Sequence, residues 1–184
     1  MCMKFKDEVS LTALDDVELN FLMKLSLELM EILPLIKFRV STERLSIPMD
    51  SYNVHRKQYN SNVIMMYYSR LIKRRTLLVT RADLYVPNLN FIFGQAESPG
   101  LLAIISLARL DPRFYGEDFN ERFFMDRAVK EAVHEICHTY GLRHCSNPKC
   151  VMHFSNSILD TDFKSKLPCG SCMRRLEVVL EQLI

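Results

Sequence analysis

The chain has 184 residues, 48% of them hydrophobic and 25% charged, so it can form one folded domain with a substantial core. With 5 glycines and 7 prolines, it is not a collagen-like or low-complexity chain. A formal net charge of +2 is too small to indicate nucleic-acid binding by itself, and no apolar run reaches the ~20 residues of a membrane span.

The distribution of cysteines indicates a metal site. The first residues, MCMKFKDEVS, lack the apolar stretch of a secretory signal, so we expect a cytoplasmic protein with reduced thiols. Four of the 6 cysteines fall within the last 40 residues, a clustering that is typical of metal ligands. Of the other two, Cys2 is a candidate exposed thiol and Cys137 is expected to be buried.

The first part of the chain predicts strands and helices in alternation. In chain order we expect a strand at residues 3–9, a helix between Asp15 and Pro34, a strand at 36–40, a loop at 41–51 and a helix at 54–72. Asp15 and Glu18 have the spacing of a capping box for the first helix. The basic run at residues 73–75 is interpreted as a solvated helix end.

Buried strands and a long helix are expected further along. Apolar runs predict strands at residues 76–80, 91–94 and 101–107, and a charged segment at 111–121 leads into the next helix. Residues 176–184 form an amphipathic helix that we expect to pack onto the domain, with a partner interface as the alternative. Strands interleaved with helices predict an α/β sheet.

Residues 134–144 read HEICHTYGLRH, a pattern that indicates a catalytic metal. His134 and His138 are four residues apart, so on a helix they lie about 40° apart and can share one ion. A continued helix would carry His144 to the opposite side, about 240° from His138. Gly141 can end the helix, because glycine adopts the left-handed conformation, and this break can return His144 to the metal.

This ligand set predicts hydrolysis of a peptide bond. Three neutral imidazoles leave a fourth position of a zinc ion for water, whose pKa falls to about 7. Glu135 lies on the flank of the ligand face, where it can take the proton of that water and pass it to the leaving amine. The alternatives are a metal site without catalytic activity and a helix with surface histidines.

A second, structural zinc site is predicted near the end of the chain. Cys145 and Cys150 form a C-x4-C pair, and Cys169 and Cys172 form a C-x2-C pair, the spacing of zinc knuckles. Four thiolates leave no place for water, so this site would be structural. Buried free thiols, disulfides or a nucleic-acid-binding ribbon are the alternatives, and the small net charge disfavours the ribbon. Since His144 and Cys145 are adjacent, the second ion would brace the third histidine.

The motifs HEICHTYGLRHC, CVM and CGSC closely resemble those of the archaemetzincin family, metzincin-type peptidases with an added zinc site made of four cysteines. The similarity covers the sequence from about residue 35 to its end and includes the segments at 56–59, 83–87, 90–94, 105–110, 130–133 and 154–164. The resemblance implies that His134, His138 and His144 hold the catalytic zinc, with Glu135 as general base and Met152 in the Met-turn. It also implies a second zinc held by the cysteines, which are Cys145, Cys150, Cys169 and Cys172.

The resemblance also implies a fold and a cleft. We expect an α/β protein with a metzincin-like twisted mixed sheet, an antiparallel edge strand at residues 90–96, the zinc helix and a small zinc-braced C-terminal lobe. An extended substrate could add to the edge strand, and Gly94 would allow close approach or form a bulge. The chain, 1–184, would be a single domain with subdomains 1–141 and 142–184.

Phe154 departs from the wider metzincin pattern, in which several relatives carry a tyrosine that assists the oxyanion. Phenylalanine cannot donate a hydrogen bond, so Tyr140 and His153 are candidate replacements. We predict a zinc-dependent peptidase with two zinc ions per chain that cleaves peptides or small proteins. It would bind no nucleic acid or membrane and be a monomer by default. The alternative is a non-catalytic zinc protein that binds peptide segments or a partner.

Overall fold

A computed structural model describes residues 5–183, which form a mixed α/β structure. Its strands are β1 (Asp7–Leu14), β2 (Ile36–Leu45), β3 (Tyr52–Asn53), β4 (Gln58–Asn60), β5 (Thr76–Thr80), β6 (Leu84–Tyr85), β7 (Gly94–Ala96) and β8 (Leu102–Ser106). Its α-helices are α1 (Leu19–Ile32), α2 (Ser61–Ser69), α3 (Glu121–Thr139), α4 (Ile158–Phe163) and α5 (Gly170–Glu181). Short 3-10 turns lie at Met49–Ser51 and Pro112–Tyr115.

The main sheet has five strands in the order β2-β1-β5-β8-β7. The first four strands in this order are mutually parallel, whereas β7 pairs with β8 in the antiparallel direction and forms an edge. Strands β3, β4 and β6 form a separate small sheet. The predicted α/β fold with a mixed sheet and an antiparallel edge strand is therefore confirmed.

The central strands are buried on both faces, as their continuous apolar sequences indicate. Leu77 and Val79 of β5 belong to the larger apolar core with α1, α3 and α5, whereas Leu78 between them faces α2 in a second core. This alternation follows from the two-residue period of a strand. The long helix α3 packs against α1 and against β7 and β8, which places it directly beside the edge of the sheet.

The first two predicted elements are shifted in the structure. Strand β1 runs from Asp7 to Leu14 and so continues beyond the predicted end at residue 9. The predicted start, at residues 3 and 4, lies outside the described part of the chain, as does Cys2. The capping box at Asp15 is wrong, because Asp15 has a positive φ of 59° and its carboxylate accepts the N–H of Ile47 at 3.1 Å. Glu18 is the N-cap of α1 instead.

The predicted helix at 54–72 and the edge strand at 90–96 are both shorter. A hairpin of β3 and β4, with Lys57 at a φ of 55°, occupies residues 52–60, so α2 begins only at Ser61. In the edge segment, Ile92 forms an isolated antiparallel bridge with Leu84 of the small sheet, and regular pairing with β8 begins at Gly94. Local periodicity did not distinguish these turns from continuous elements.

The side chain of Arg75 is largely removed from solvent, so the interpretation of the basic run is wrong for this residue. Its guanidinium carbon lies 3.8 Å from the centroid of the Tyr140 ring, and its side chain is 9% exposed. Its Nε is 3.0 Å from Asp7 Oδ2, and its Nη1 donates to Thr139 O at 2.8 Å. Arg75 therefore anchors the end of α3 to the start of β1.

The C-terminal helix packs onto the domain, as predicted, although it begins earlier, at Gly170. Leu176 and Leu180 on its inner face are at most 2% exposed and belong to the larger core. Between residues 5 and 183 there is no helix with the length and apolar composition needed to cross a bilayer.

Candidate metal centre and active site

Helix α3 carries the first half of the histidine motif and ends where the sequence predicts. Its N-cap, Asn120, accepts the N–H of Phe123 at 3.0 Å. At its other end Gly141 has a φ of 83°, and the Gly141 and Leu142 N–H groups donate to carbonyls of the last turn, at 2.8 and 3.2 Å. These two bonds form a Schellman motif, which reverses the chain immediately before His144.

The reversal brings the three histidines together. One ring nitrogen from each of His134, His138 and His144 lies within 4.8 Å of the other two. The Nε2 atoms of His134 and His138 are 3.0 Å apart. The ring centroid of His144 lies 5.3 Å from that of His134 and 4.9 Å from that of His138. This is the separation expected of ligands that share one small cation.

The protonation of the rings fits a metal. His134 Nδ1 lies 2.8 Å from Val151 O and His138 Nδ1 lies 2.6 Å from Leu142 O; a carbonyl only accepts, so each Nδ1 carries the proton. Both Nε2 atoms are left with lone pairs facing each other across 3.0 Å, which is repulsive unless a cation lies between them. Burial lowers the pKa of all three imidazoles, that of His134 furthest, so they remain neutral ligands.

Glu135 is buried beside the histidines, with 5% of its surface exposed. A Cβ atom built on Gly94 would lie only 2.6 Å from Glu135 Cγ and 2.7 Å from its Oε1. Gly94 is therefore needed because β7 passes directly against the Glu135 side chain. Burial raises the pKa of Glu135 well above its ordinary value, the nearby Glu131 raises it further, and Lys164 acts in the opposite direction.

A buried ion pair behind Glu135 was not predicted from the sequence. Lys164 Nζ lies 3.0 Å from Glu131 Oε1, and their side chains are 1% and 4% exposed. The hydroxyl of Thr161 donates to the same carboxylate oxygen at 3.2 Å. Glu131 precedes His134 by one helical turn, a spacing that could have drawn attention to it, whereas Lys164 is brought in only by the tertiary fold.

A cleft runs along β7 and has two parts. The Glu131 cavity, of about 200 Å³, is lined by residues 89–94, Glu131, His134, Glu135 and residues 154–156. The His144 groove shares Leu89, Ile92, Gly94, His134, Glu135 and Phe154 with this cavity and extends further, past Ala96, Ser98, Arg143 and His144. Glu135 and His134 thus line both recesses, which are bordered by the edge of the sheet.

Neither candidate replacement for the missing tyrosine reaches the cleft. Phe154 occupies the position, with its ring centroid 5.1 Å from that of His144. Tyr140 is 4% exposed and its hydroxyl donates to Asp7 at 3.0 Å, so the suggestion that it assists an oxyanion is wrong. His153 lines neither recess, and its Nδ1 is 2.8 Å from Cys145 O.

The four clustered cysteines converge on a second point. The sulfur atoms of Cys145, Cys150, Cys169 and Cys172 all lie within 4.8 Å of one another. Cys145 Sγ and Cys169 Sγ are 3.9 Å apart, far beyond the ~2.05 Å of a disulfide. The pKa of the Cys169 thiol falls to about 7, first because the backbone N–H of Cys172 donates to it. Cys137, as expected, is separate and fully buried.

The two clusters share a short scaffold. Met152 is buried in a turn closed by a hydrogen bond of 2.9 Å from His153 N to Cys150 O. Its carbonyl accepts the Cys145 N–H at 2.9 Å, and its neighbour Val151 holds the His134 ring. Val151 and Met152 are thus hydrogen-bonded to the first histidine and to Cys145, the residue that follows the third histidine.

Comparison with known proteins places the chain in a family. The model of Peptidase family M54 matches residues 4–178. The chain belongs to peptidase family M54. Archaemetzincin of Methanocaldococcus jannaschii is 47% identical over 134 residues, which cover 73% of this chain and 74% of that protein. The predicted resemblance to archaemetzincins and the prediction of a peptidase are confirmed.

Solved structures agree with the assignment of this chain to peptidase family M54. The crystal structure of archaemetzincin from Methanopyrus kandleri matches with a TM-score of 0.83 and 33% identity, covering 98% of this chain and 97% of that one. A zinc-dependent peptidase from Methanocorpusculum labreanum matches with a TM-score of 0.82 and 29% identity, covering 91% and 99%. The metzincin-like fold that the resemblance implied is therefore confirmed.

Proposed function

We propose that the chain is a zinc-dependent peptidase in which His134, His138 and His144 hold the catalytic zinc and Glu135 is the general base. The single observation that carries this assignment is the pair of facing Nε2 atoms 3.0 Å apart, with each Nδ1 already bonded to a carbonyl. A zinc ion held there would acidify a water molecule and polarise the carbonyl of the scissile bond.

Glu135 performs the proton transfers in this proposal. Its carboxylate accepts a proton from the attacking water and later delivers it to the leaving amine. Burial raises its pKa, which makes it a better proton acceptor, while Lys164 favours the ionised form that a base requires. Gly94 leaves room for Glu135 between α3 and β7.

The edge of the sheet would bind the substrate. An extended peptide can add to β7 as one more strand, and antiparallel pairing is the more stable arrangement. A peptide running antiparallel to β7 would place residues that follow the scissile bond beside the Glu131 cavity, and residues that precede it along the His144 groove. Peptides and small proteins are accordingly the substrate class.

Cys145, Cys150, Cys169 and Cys172 are proposed to hold a second, structural zinc, which gives two ions per chain. Four thiolates complete a tetrahedral site and leave no exchangeable position. This ion would brace residues 142–184 as a lobe on residues 1–141, within a single domain. Because the turn around Met152 contacts both clusters, the brace would also hold the catalytic histidines.

The test is incubation of the zinc-loaded protein with a mixed peptide library, read by mass spectrometry. We expect defined cleavage products from the wild type and none from Glu135→Gln with an unchanged zinc content. Because glutamine has nearly the shape of glutamate but cannot accept the proton, this variant separates catalysis from metal binding. Equal cleavage by both proteins would refute the mechanism, and no cleavage by either would favour a non-catalytic zinc protein that binds peptides.

A further inference from the structure

A groove with three arginines lies between the end of α3 and helix α5. Its apolar part includes Leu142 and Val178, and its rim carries Arg143, Arg174 and Arg175. No aspartate or glutamate between residues 5 and 183 lines it. We call this recess the arginine groove.

The three guanidinium groups have no carboxylate partner within the part of the chain that the structure describes. Arginines elsewhere, such as Arg75, Arg109 and Arg127, form short ion pairs with aspartates. Arg143, Arg174 and Arg175 form no ion pair or side-chain hydrogen bond with any residue between 5 and 183, and all three are exposed. Their positive charge is thus available to a ligand.

The arginine groove adjoins the active-site cleft at Arg143. Arg143 lines both the His144 groove and the arginine groove. The loop that follows β7 rests on the end of α3, because Gly100 N donates to Thr139 O at 3.0 Å and a Cβ on Gly141 would lie 3.6 Å from Pro99 Cβ. A chain that leaves the cleft beyond Ser98 therefore meets Gly141 and Arg143, and then α5.

The geometry of an extended strand indicates which residues of a peptide substrate would reach the arginine groove. Gly94 marks the reacting position, since it contacts Glu135, and Ser98 lies four residues further along the chain. Strand β7 ends at Ala96, and an antiparallel peptide that stayed extended beyond this end, at ~3.3 Å per residue, would pass Ser98 about four residues before its scissile bond. Side chains from about the fourth residue outward on the N-terminal side would face the arginines.

We propose that the arginine groove binds acidic residues that precede the scissile bond by about four or more positions, so that the enzyme favours peptides with an acidic N-terminal flank. Aspartate and glutamate side chains pair with guanidinium groups through charge-assisted hydrogen bonds. The inference rests on the proposed function for the direction of the peptide and for the reacting position at Glu135, whereas the charge and position of the groove are properties of the structure itself.

The first test measures binding without hydrolysis, by fluorescence anisotropy of a labelled peptide with four consecutive aspartates added to zinc-loaded Glu135→Gln protein. We expect tighter binding than for the matched asparagine peptide, and weakening by about fivefold or more when Arg174→Gln and Arg175→Gln are added. Arg70→Gln with Arg74→Gln is the matched control, because it removes the same charge. Both arginines are exposed and form no ion pair with any residue between 5 and 183.

Equal binding of the two peptides, an equal loss in the control variant, or tighter binding of an oligothymidylate of the same charge would overturn the proposal. The second test compares wild-type hydrolysis of two peptides of one composition, with the aspartates before or after the cleaved bond. We expect the lower KM for aspartates before the bond, and the reverse order would refute the direction. Because the binding test needs no cleavage, its failure is distinguishable from failure of the peptidase function.

Discussion

Replacing Gly94 with alanine should disable Glu135 while leaving the fold intact. The new Cβ would lie 2.6 Å from Glu135 Cγ and 2.7 Å from Oε1, whereas ordinary contacts are 3.4–4 Å, so the carboxylate must retreat by most of an ångström. A displacement of about 1 Å in a catalytic group lowers the rate by about 100-fold. The backbone of Gly94 is outside the left-handed region, so alanine introduces no backbone strain.

The assay is hydrolysis of one quenched fluorescent peptide chosen from the library products, with zinc content measured on the same sample. Gly170→Ala is the matched control: its Cβ would lie 3.5 Å from Arg174 Nη1, an ordinary contact distance, so this variant should retain activity. In a stability cycle, Glu135→Ala should remove most of the cost of Gly94→Ala, with a coupling of about 0.5–3 kcal/mol. Full activity of Gly94→Ala, or a loss explained by missing zinc, would refute this reasoning.

Three further changes test the surroundings of the site. Lys164→Met leaves Glu131 buried without its cation and should lower the free energy of unfolding, measured by urea titration, by about 3–5 kcal/mol. Replacing both residues with apolar ones should restore most of this loss, and a cost of Lys164→Met below about 1 kcal/mol would contradict the prediction. Burial raises the pKa of Tyr140, so its contribution to stability is present below pH ~10 and is lost as the pH rises further. Tyr140→Phe should therefore make the alkaline decline in the free energy of unfolding shallower, by up to ~1.4 kcal/mol per pH unit. An unchanged slope would count against this assignment. Cys172→Ser should lower the zinc content by one ion per chain and reduce the thermal midpoint and peptidase activity together, whereas wild-type zinc content would argue against the second site.

Local sequence signals predicted that the three histidines converge on one point and the four cysteines on another. The four-residue spacing of His134 and His138 and the helix-ending role of Gly141 follow from helix geometry alone, and both appear in the structure. The convergence of the C-x2-C and C-x4-C pairs could also be predicted, because thiols at such spacings share few other roles. Strand β5, at Thr76–Thr80, has the predicted bounds because its apolar run is buried on both faces.

Features that depend on distant residues could not be read from the sequence. The basic run containing Arg75 has the composition of a solvated helix end, yet Asp7 and the Tyr140 ring draw this arginine into the interior. Similarly, nothing near Glu131 in the sequence identifies Lys164 as its partner. Gly94 was expected to admit a substrate backbone or to form a bulge, and its contact with the Glu135 side chain was not predicted.

The position of the metal tests the central claim most directly. Anomalous X-ray scattering at the zinc edge, from crystals of zinc-loaded Glu135→Gln protein, locates each ion without reference to activity. We predict one peak about 2.0–2.1 Å from a ring nitrogen of each of His134, His138 and His144, with residue 135 outside its coordination sphere. A second peak should lie among the four cysteine sulfurs. A first ion that lacks His144, or whose fourth position is filled by a protein side chain, would contradict the account.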